Sequence, residues 1–441
     1  MPTMPPTALS PYLTPVHELL WQEADAFAGE YVAPRARRME ALPHNVEREL
    51  PQLMAAQGWF AVTIPRVYGG MGAGHVAKTI LIHRIATVSA AAAAILQASL
   101  IPVAALLGFG TDEQKAYWLP QVADGTTLLS IAATEPDMGG HIGGIETLAE
   151  RDGNKWVITG GSKIYIGNSH IAGLHVVLAR TAPPGTTASQ ALTAFLVEHD
   201  RKGLTVEPHR PGLGLHGFSL GRLDLDRVRI PADNVLGDVG QGMNVGQSSS
   251  ILYGRPNLAA ISLGLHEAIV ETTVCYLKNR PRYQGTLSDL PVLRHRLGDM
   301  EARLRAARIL AYQAVHLFDR GLSCDADLVN SKYLGHQWAV QSGQDAMELH
   351  GARALDATYP LQRLWRGRPA HLPARRNRRG PAHTPCRDRP SGRHQPVVRA
   401  TGRRRLMGLP GGSDRHLTPA RGAPSLSTAA RGSSRSSSTK S

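Results

Sequence analysis

The sequence predicts a multi-domain α+β protein: an N-terminal α-helical domain, a central β-sandwich or barrel, a C-terminal helical bundle and a disordered basic tail. Three observations predict it. Apolar residues recur at helical spacing up to about residue 124. Short runs of Val, Ile, Leu and Thr, punctuated by Gly, Pro, Asp and Asn, replace that period up to about residue 241. The helical period returns at Gly242 and stops at Arg366, where Arg, Pro, Gly and Ser take over. The divisions are therefore 1–124, 125–241, 242–366 and 367–441.

Thr14–Glu40 reads as an amphipathic helix, with Val16, Leu19, Leu20, Ala24, Phe27 and Tyr31 on one face. Asn45–Gln57 is a second, shorter helix, and Gly69-Gly70 with Gly72 and Gly74 mark a loop. His75–Leu107 reads as a helix with an alanine core, Ala90–Ala94, whose small residues imply close helix–helix contact. Thr111–Leu119 follows, with Thr111 as its N-cap and Glu113 in its first turn. The strand runs are Thr127–Thr134, Glu146–Arg151, Lys155–Gly160, Leu174–Ala182, Ala191–Glu198, Leu204–Pro208, Gly221–Val228 and Val235–Leu236. Seven or eight strands at this spacing indicate a sandwich or barrel of about 110 residues. Met243–Arg280, Ser288–Gly321 and Ala326–Gly351 are three long helical segments with short connections, the pattern of a bundle.

Charge separates the tail from the body. Gly367–Ser441 holds 17 Lys+Arg against only Asp388 and Asp414, a net of +15, whereas the whole chain is +14 and Met1–Arg366 is thus about −1. The basic balance belongs to the tail, which lacks interleaved aromatics, so no nucleic-acid partner is expected. Cys275, Cys324 and Cys386 are widely spaced and form no metal or disulfide pattern, which points to a reducing cytoplasm and no metal site. The N-terminus shows no basic region followed by an apolar core, so no signal peptide is expected. The apolar stretch Ile85–Gly108 contains Ser89, Ser99 and Pro102 and reads as a buried helix, not a membrane span.

Four strings carry the functional reading. They are Gly110–Lys115 with Leu119-Pro120, Ala133-Thr134-Glu135-Pro136, Lys163–Asn168, and Arg229-Ile230-Pro231 with Asn234–Gly237 and Gly240-Gln241-Gly242. In that order and at those spacings the chain resembles the acyl-CoA dehydrogenase family, from about residue 15 to Arg366, roughly four fifths of its length. The resemblance implies FAD held between the sandwich and the C-terminal bundle, in a homo-oligomer, a dimer or tetramer. It also implies an acyl thioester substrate on CoA or a carrier protein, with an electron-transfer partner or O2 as acceptor. In that chemistry a carboxylate removes the α-proton while the β-hydride passes to the flavin, and the protein supplies orientation and hydrogen bonds.

On this resemblance Ile131, Ala133 and Thr134 lie along the flavin, the Thr134 hydroxyl adding a donor. Tyr165 stands where the family commonly has Trp, and its ring can still cover the flavin face. Gly167 stands where the family often has a hydroxyl residue. Gly139-Gly140 replace a Gly-Ser pair near the pyrophosphate, leaving Gly140 its backbone N–H alone; His141 reads as an exposed loop residue. Arg280 matches an Arg that reaches the cofactor diphosphate of a neighbouring subunit, followed by Tyr283 where the family has Phe. Glu348 and Gly351 match a Gln-x-x-Gly-Gly turn beside the adenosine, with Ala352 in place of the second Gly.

The base is missing from both positions the family uses. The first precedes an Arg early in the long C-terminal helix; here that Arg is Arg255, a substrate-side residue, and Gly254 precedes it. The second follows a Trp/Tyr-Arg-Asp segment, and the chain loses the pattern after Leu364-Trp365-Arg366. Leu372–His383 reads LPARRNRRGPAH, and one choice of codons read a base later gives FLPAGTAEVQR, close to the family's closing segment. That reading makes the tail a frame-shift product and puts Ala at the second base position. Tyr253, Glu348 and His216 are the remaining candidates for a base, His216 lying in a loop the family uses near substrate. Three functions compete: a dehydrogenase of specialised metabolism, a flavin-dependent monooxygenase on the same fold, and a catalytically impaired remnant.

Overall fold

The computed structural model describes residues 3–183 and 185–367. The frame-slip segment Leu372–His383 and the tail after Gly367 lie outside the described residues.

The N-terminal region forms α1 (Pro15–Phe27), α2 (Ala33–Ala41), α3 (Glu49–Ala56), α4 (Gly74–Val88), α5 (Ala90–Phe109) and α6 (Asp112–Ala123). A π-helical turn, Ala28–Val32, joins α1 to α2, so the expected single helix continues with one change of pitch. The expected His75–Leu107 helix is broken at Ser89, whose extended backbone (φ −150°) lets its hydroxyl accept from Ala92 N and cap α5. Thr111 caps α6 in a reciprocal pair with Gln114, both bonds at 3.1 Å. The Gln114 amide also donates to the Asp233 and Val235 carbonyls, which fixes α6 against the sheet domain.

The sheet domain contains β1 (Leu129–Ala132), β2 (Leu148–Asp152), β3 (Lys155–Gly167), β4 (Leu174–Arg180), a short helix α7 (Ala188–Ala191), β5 (Leu192–Glu198), β6 (Leu204–Val206), β7 (Leu220–Leu225), β8 (Val228–Pro231) and β9 (Val235–Leu236). These nine strands make one hydrogen-bonded sheet in the order β6-β7-β3-β2-β4-β5-β9, with β1 parallel to β4 and β8 antiparallel to β3. Ile158, Val177, Phe195, Leu223 and Ile230 form its own apolar core. β3 runs on through the Lys163–Asn168 string as far as Gly167, further than its apolar run suggests.

The C-terminal region holds α8 (Gly242–Ser249), a π-helical turn Ser250–Gly254, α9 (Arg255–Asn279), a hairpin of β10 (Pro281–Arg282) and β11 (Gly285–Thr286), α10 (Pro291–Asp319), α11 (Asp325–His350) and α12 (Pro360–Gly367). Two helical stretches, Ala90–Phe109 and Gly242–Asn279, are long and apolar enough to cross a bilayer, and 83% and 72% of their apolar windows are buried in the fold. Buried polar contacts tie α4 to the bundle. Asp319 at the end of α10 accepts from the His75 and Val76 amides at 2.6 and 2.8 Å, capping α4 from another element. Glu267 on α9 sits among His83, Arg84 and Arg308, which hold its carboxyl well below the usual range against the opposing effect of burial.

Candidate active site

The site begins with a flaw in the β3–β7 ladder. The register shifts between Lys163 and Ile166, so the extra residues bulge. Tyr165 takes the left-handed conformation there (φ +58°), which is costly for a bulky residue, and its side chain is left 71% exposed. A bulge re-aims a side chain, and here it presents an aromatic ring that the core does not use. The neighbouring strand end is tied to it: Ile164 N donates to the Thr134 carbonyl at 2.8 Å.

Behind this surface the supports are buried. Lys163 is fully buried and its ammonium meets Glu135 Oε1 at 2.7 Å. Glu135 also accepts from Glu146 N, Thr147 N and the Thr147 hydroxyl. Burial pushes its carboxyl up, but Lys163 and those donors outweigh it and hold the group below its ordinary value. Asn168, also left-handed (φ +62°) and fully buried, donates to the Ile95 carbonyl at 2.7 Å and to Ser99 Oγ at 2.9 Å. The loop carrying Gly139 and Gly140 is held at its far end by Arg180, which donates to the Gly143 and Ile145 carbonyls.

Gly167 is a packing necessity. A Cβ there would lie 3.0 Å from both Ala98 Cβ and Phe218 Cζ, so a hydroxyl residue does not fit unless a neighbour moves. One turn further along α5 the situation is reversed. A Cβ on Gly254 would meet Ser250 Oγ at 3.5 Å and Ile101 Cδ1 at 3.6 Å, ordinary contacts, and its φ of −59° suits any residue. Arg255, half-buried beside it, is pushed down by burial and partly restored by Asp325.

The structure thus groups Ile131, Ala133, Thr134, Tyr165 and Gly167, with the Gly139-Gly140 loop following in sequence. Arg280 and Tyr283 follow the end of α9. Both are exposed at the end of α9, which from Arg255 spans about 37 Å at ~1.5 Å per residue, and Tyr283 is left-handed (φ +54°). Gly351 ends α11 with φ +56°.

The three candidate bases lie in three different settings. The Tyr253 hydroxyl is pushed up to about 12 by burial, and the Lys78 ammonium sits 4.0 Å over its ring, so at neutral pH it is a phenol that cannot take a proton. The Glu348 carboxylate is pinned by Arg296 at 2.8 Å on the exposed side of α11 and is held below its ordinary value by that bond. The His216 ring lies in a loop, with Nε2 on the Gly212 carbonyl at 3.1 Å and Nδ1 3.3 Å from Glu40, which itself takes Arg366 at 2.6 Å. That ring organises a loop. Sequence reasoning assigned no role to Glu135, Lys163, Asn168 or Glu40. The polar Lys163 and Asn168 inside a strand run were the available signal.

A helical domain, a nine-stranded sheet domain and a helical bundle follow one another in sequence, with an exposed aromatic ring on a bulged strand of the sheet. Family models for the N-terminal, middle and C-terminal domains of acyl-CoA dehydrogenase match residues 14–126, 130–228 and 240–371. An acyl-CoA dehydrogenase of Bacillus subtilis (strain 168) is 33% identical over 341 residues, 77% of this chain and 89% of that protein. The butyryl-CoA dehydrogenase structure from Megasphaera elsdenii matches with a TM-score of 0.78 at 26% identity, covering 82% of this chain and 94% of the other. The structure of PigA with FAD and proline matches with a TM-score of 0.77 at 27% identity, over 82% and 94% of the two chains. The chain belongs to the acyl-CoA dehydrogenase family.

Proteins of this family bind FAD. The residues present fit that group. A solvent-facing ring held in a strained conformation offers a face for a planar heterocycle, the adjoining strand end offers backbone groups, and a side-chain-free glycine loop offers N–H groups to phosphate. Among the described residues no cluster of His, Cys, Asp and Glu could hold a metal ion.

Proposed function

We propose that this chain is an FAD-dependent oxidoreductase acting on an acyl thioester, on CoA or a carrier protein, without a carboxylate at the position before Arg255. The observation that carries the reading is Gly254: the backbone and the space there admit a side chain, and none is present. When bound, FAD supplies the acceptor for a hydride from the acyl chain. In this reading Ile131, Ala133 and Thr134 hold the edge of the ring system, Tyr165 covers one face, and Gly139 with Gly140 approaches the pyrophosphate. Arg255 orients the thioester side.

The match of Arg280 to an Arg that reaches a neighbouring subunit's cofactor supports a homo-oligomer, a dimer or tetramer. A cytoplasmic location belongs to the same proposal, as does an electron-transfer partner. The vacant base position also favours the monooxygenase reading, because O2 activation by reduced flavin needs no α-proton base.

The test is the absorption of the purified protein near 450 nm before and after FAD is added, then anaerobic addition of butyryl-CoA. Bleaching of the flavin band establishes the dehydrogenase. A protein that holds FAD, is not bleached by thioesters and consumes O2 with an external flavin reductase is the monooxygenase. A protein that never takes up FAD sinks both.

A further inference from the structure

The seam between α5 and α9 contains two buried acceptors with no donor. Gln97 on α5 is 7% exposed and Asn257 on α9 is fully buried. The Asn257 amide nitrogen donates to the Gln97 main-chain carbonyl at 3.4 Å, which fixes which way that amide points. Gln97 Oε1 and Asn257 Oδ1 are both left without a hydrogen-bond partner. Unmade bonds on buried acceptors are rare and destabilising, so each such group calls for a reason.

Their position supplies one. Gln97 lies one turn before Ile101 on α5, and Ile101 Cδ1 is 3.6 Å from where a Gly254 side chain would begin. Asn257 lies one turn after Gly254 along α9. Gln97 and Asn257 thus each lie one turn from a residue at the Gly254 position, where a Cβ meets only ordinary contacts. Two neutral acceptors select for a donor: a hydroxyl or an ammonium group satisfies them, and a methyl group leaves them unpaired.

We propose that Gln97 and Asn257 are specificity residues that select an acyl group bearing an N–H or O–H donor, that is, an amino- or hydroxyacyl thioester in preference to a plain aliphatic one. This inference rests on the thioester reading above. The experiment is calorimetric titration of the FAD-loaded protein with butyryl-CoA, 3-hydroxypropanoyl-CoA and β-alanyl-CoA, whose acyl groups have equal chain length.

Binding of a donor-bearing thioester at least about tenfold tighter than butyryl-CoA is expected, one hydrogen bond's worth, and that preference is expected to vanish in Gln97→Met. The hydroxyl and ammonium arms show which donor is read. Equal or weaker binding of both donor-bearing thioesters, or a preference that survives Gln97→Met, overturns the proposal. The 450 nm band reports separately on whether the flavoprotein reading stands. A second readout needs no ligand: Gln97→Met removes an unpaired buried acceptor and is expected to raise the melting temperature by a few degrees. A fall would show that the amide serves the fold, and would overturn the inference.

Discussion

Glu135 and Gln97 are each 7% exposed, and their neighbours Lys163 and Asn257 are each fully buried. Equal burial has been met in opposite ways. Around Glu135 an ammonium, a hydroxyl and two backbone amides converge on one carboxylate. At Gln97 and Asn257 two side-chain oxygens have no hydrogen-bond partner. Both regions lean on the same helix, since α5 meets Gly167 through Ala98 and faces Gly254 through Ile101. The difference teaches a division of labour. At the strand end four donors gather on one carboxylate, whereas two neighbouring acceptors in the α5–α9 seam have no donor.

The contrast can be broken at Gly254 first, where the expected effect is largest. Gly254→Glu places a carboxylate where the backbone already accepts one, and general-base catalysis is worth about 10²–10⁴-fold. The rate of flavin reduction by butyryl-CoA should rise by that order; an unchanged rate would show that the vacancy is not at the base position.

The satisfied side can be broken at Glu135. Glu135→Ala strands a fully buried ammonium, and loss of one partner of a buried pair costs about 3–5 kcal/mol. Urea denaturation should show it, and the double change Glu135→Gln with Lys163→Met should recover most of the loss. If the single change is mild, the pair is not what organises the bulge.

A smaller effect is expected at Gly167. Gly167→Ser forces a Cβ to 3.0 Å from Ala98 and Phe218, and overpacking costs about 1–3 kcal/mol. Pairing it with Ala98→Gly should relieve the clash in thermal melts.

The last effect, at Lys78, depends on pH. Its ammonium is fully buried over the Tyr253 ring, finds no hydrogen-bond partner, and is pushed down to about 7, chiefly by burial. Its folded value is thus below its unfolded one, so between about pH 7 and the ordinary lysine range the unfolded chain binds more protons. Stability should therefore rise with pH across that window, by at most about 1.4 kcal/mol per unit. Lys78→Met should flatten the rise in melting temperature between pH 7 and pH 9; an equally steep rise in the variant would exonerate Lys78.

The order helices, strands, helices was legible because each region carries its own apolar period. Thr111 was legible as a cap because the hydroxyl and its partner lie three residues apart. The break at Ser89 was not, since Ala90–Ala94 continues the helical pattern and only the Ser89 backbone interrupts it. The Glu135–Lys163 pair joins residues 28 positions apart, and no local spacing announces such a contact. Tyr165 was legible as an aromatic residue in the right string, but its left-handed backbone depends on how β3 pairs with β7. Gly254 was legible as a glycine before Arg255, whereas the unpaired state of Gln97 and Asn257 is a property of packing alone.

Gly214 and Gly367 give the end of the described chain a practical meaning. A Cβ on Gly214 would fall 2.4 Å from the Arg366 carbonyl, so the His216 loop closes directly on α12. Gly367 is buried, with Ala90, Leu265 and Leu215 within 3.5–3.9 Å of its Cβ position. Within the described chain, a change in the His216 loop would therefore be felt at the end of α12, and a change at Arg366 would be felt in that loop.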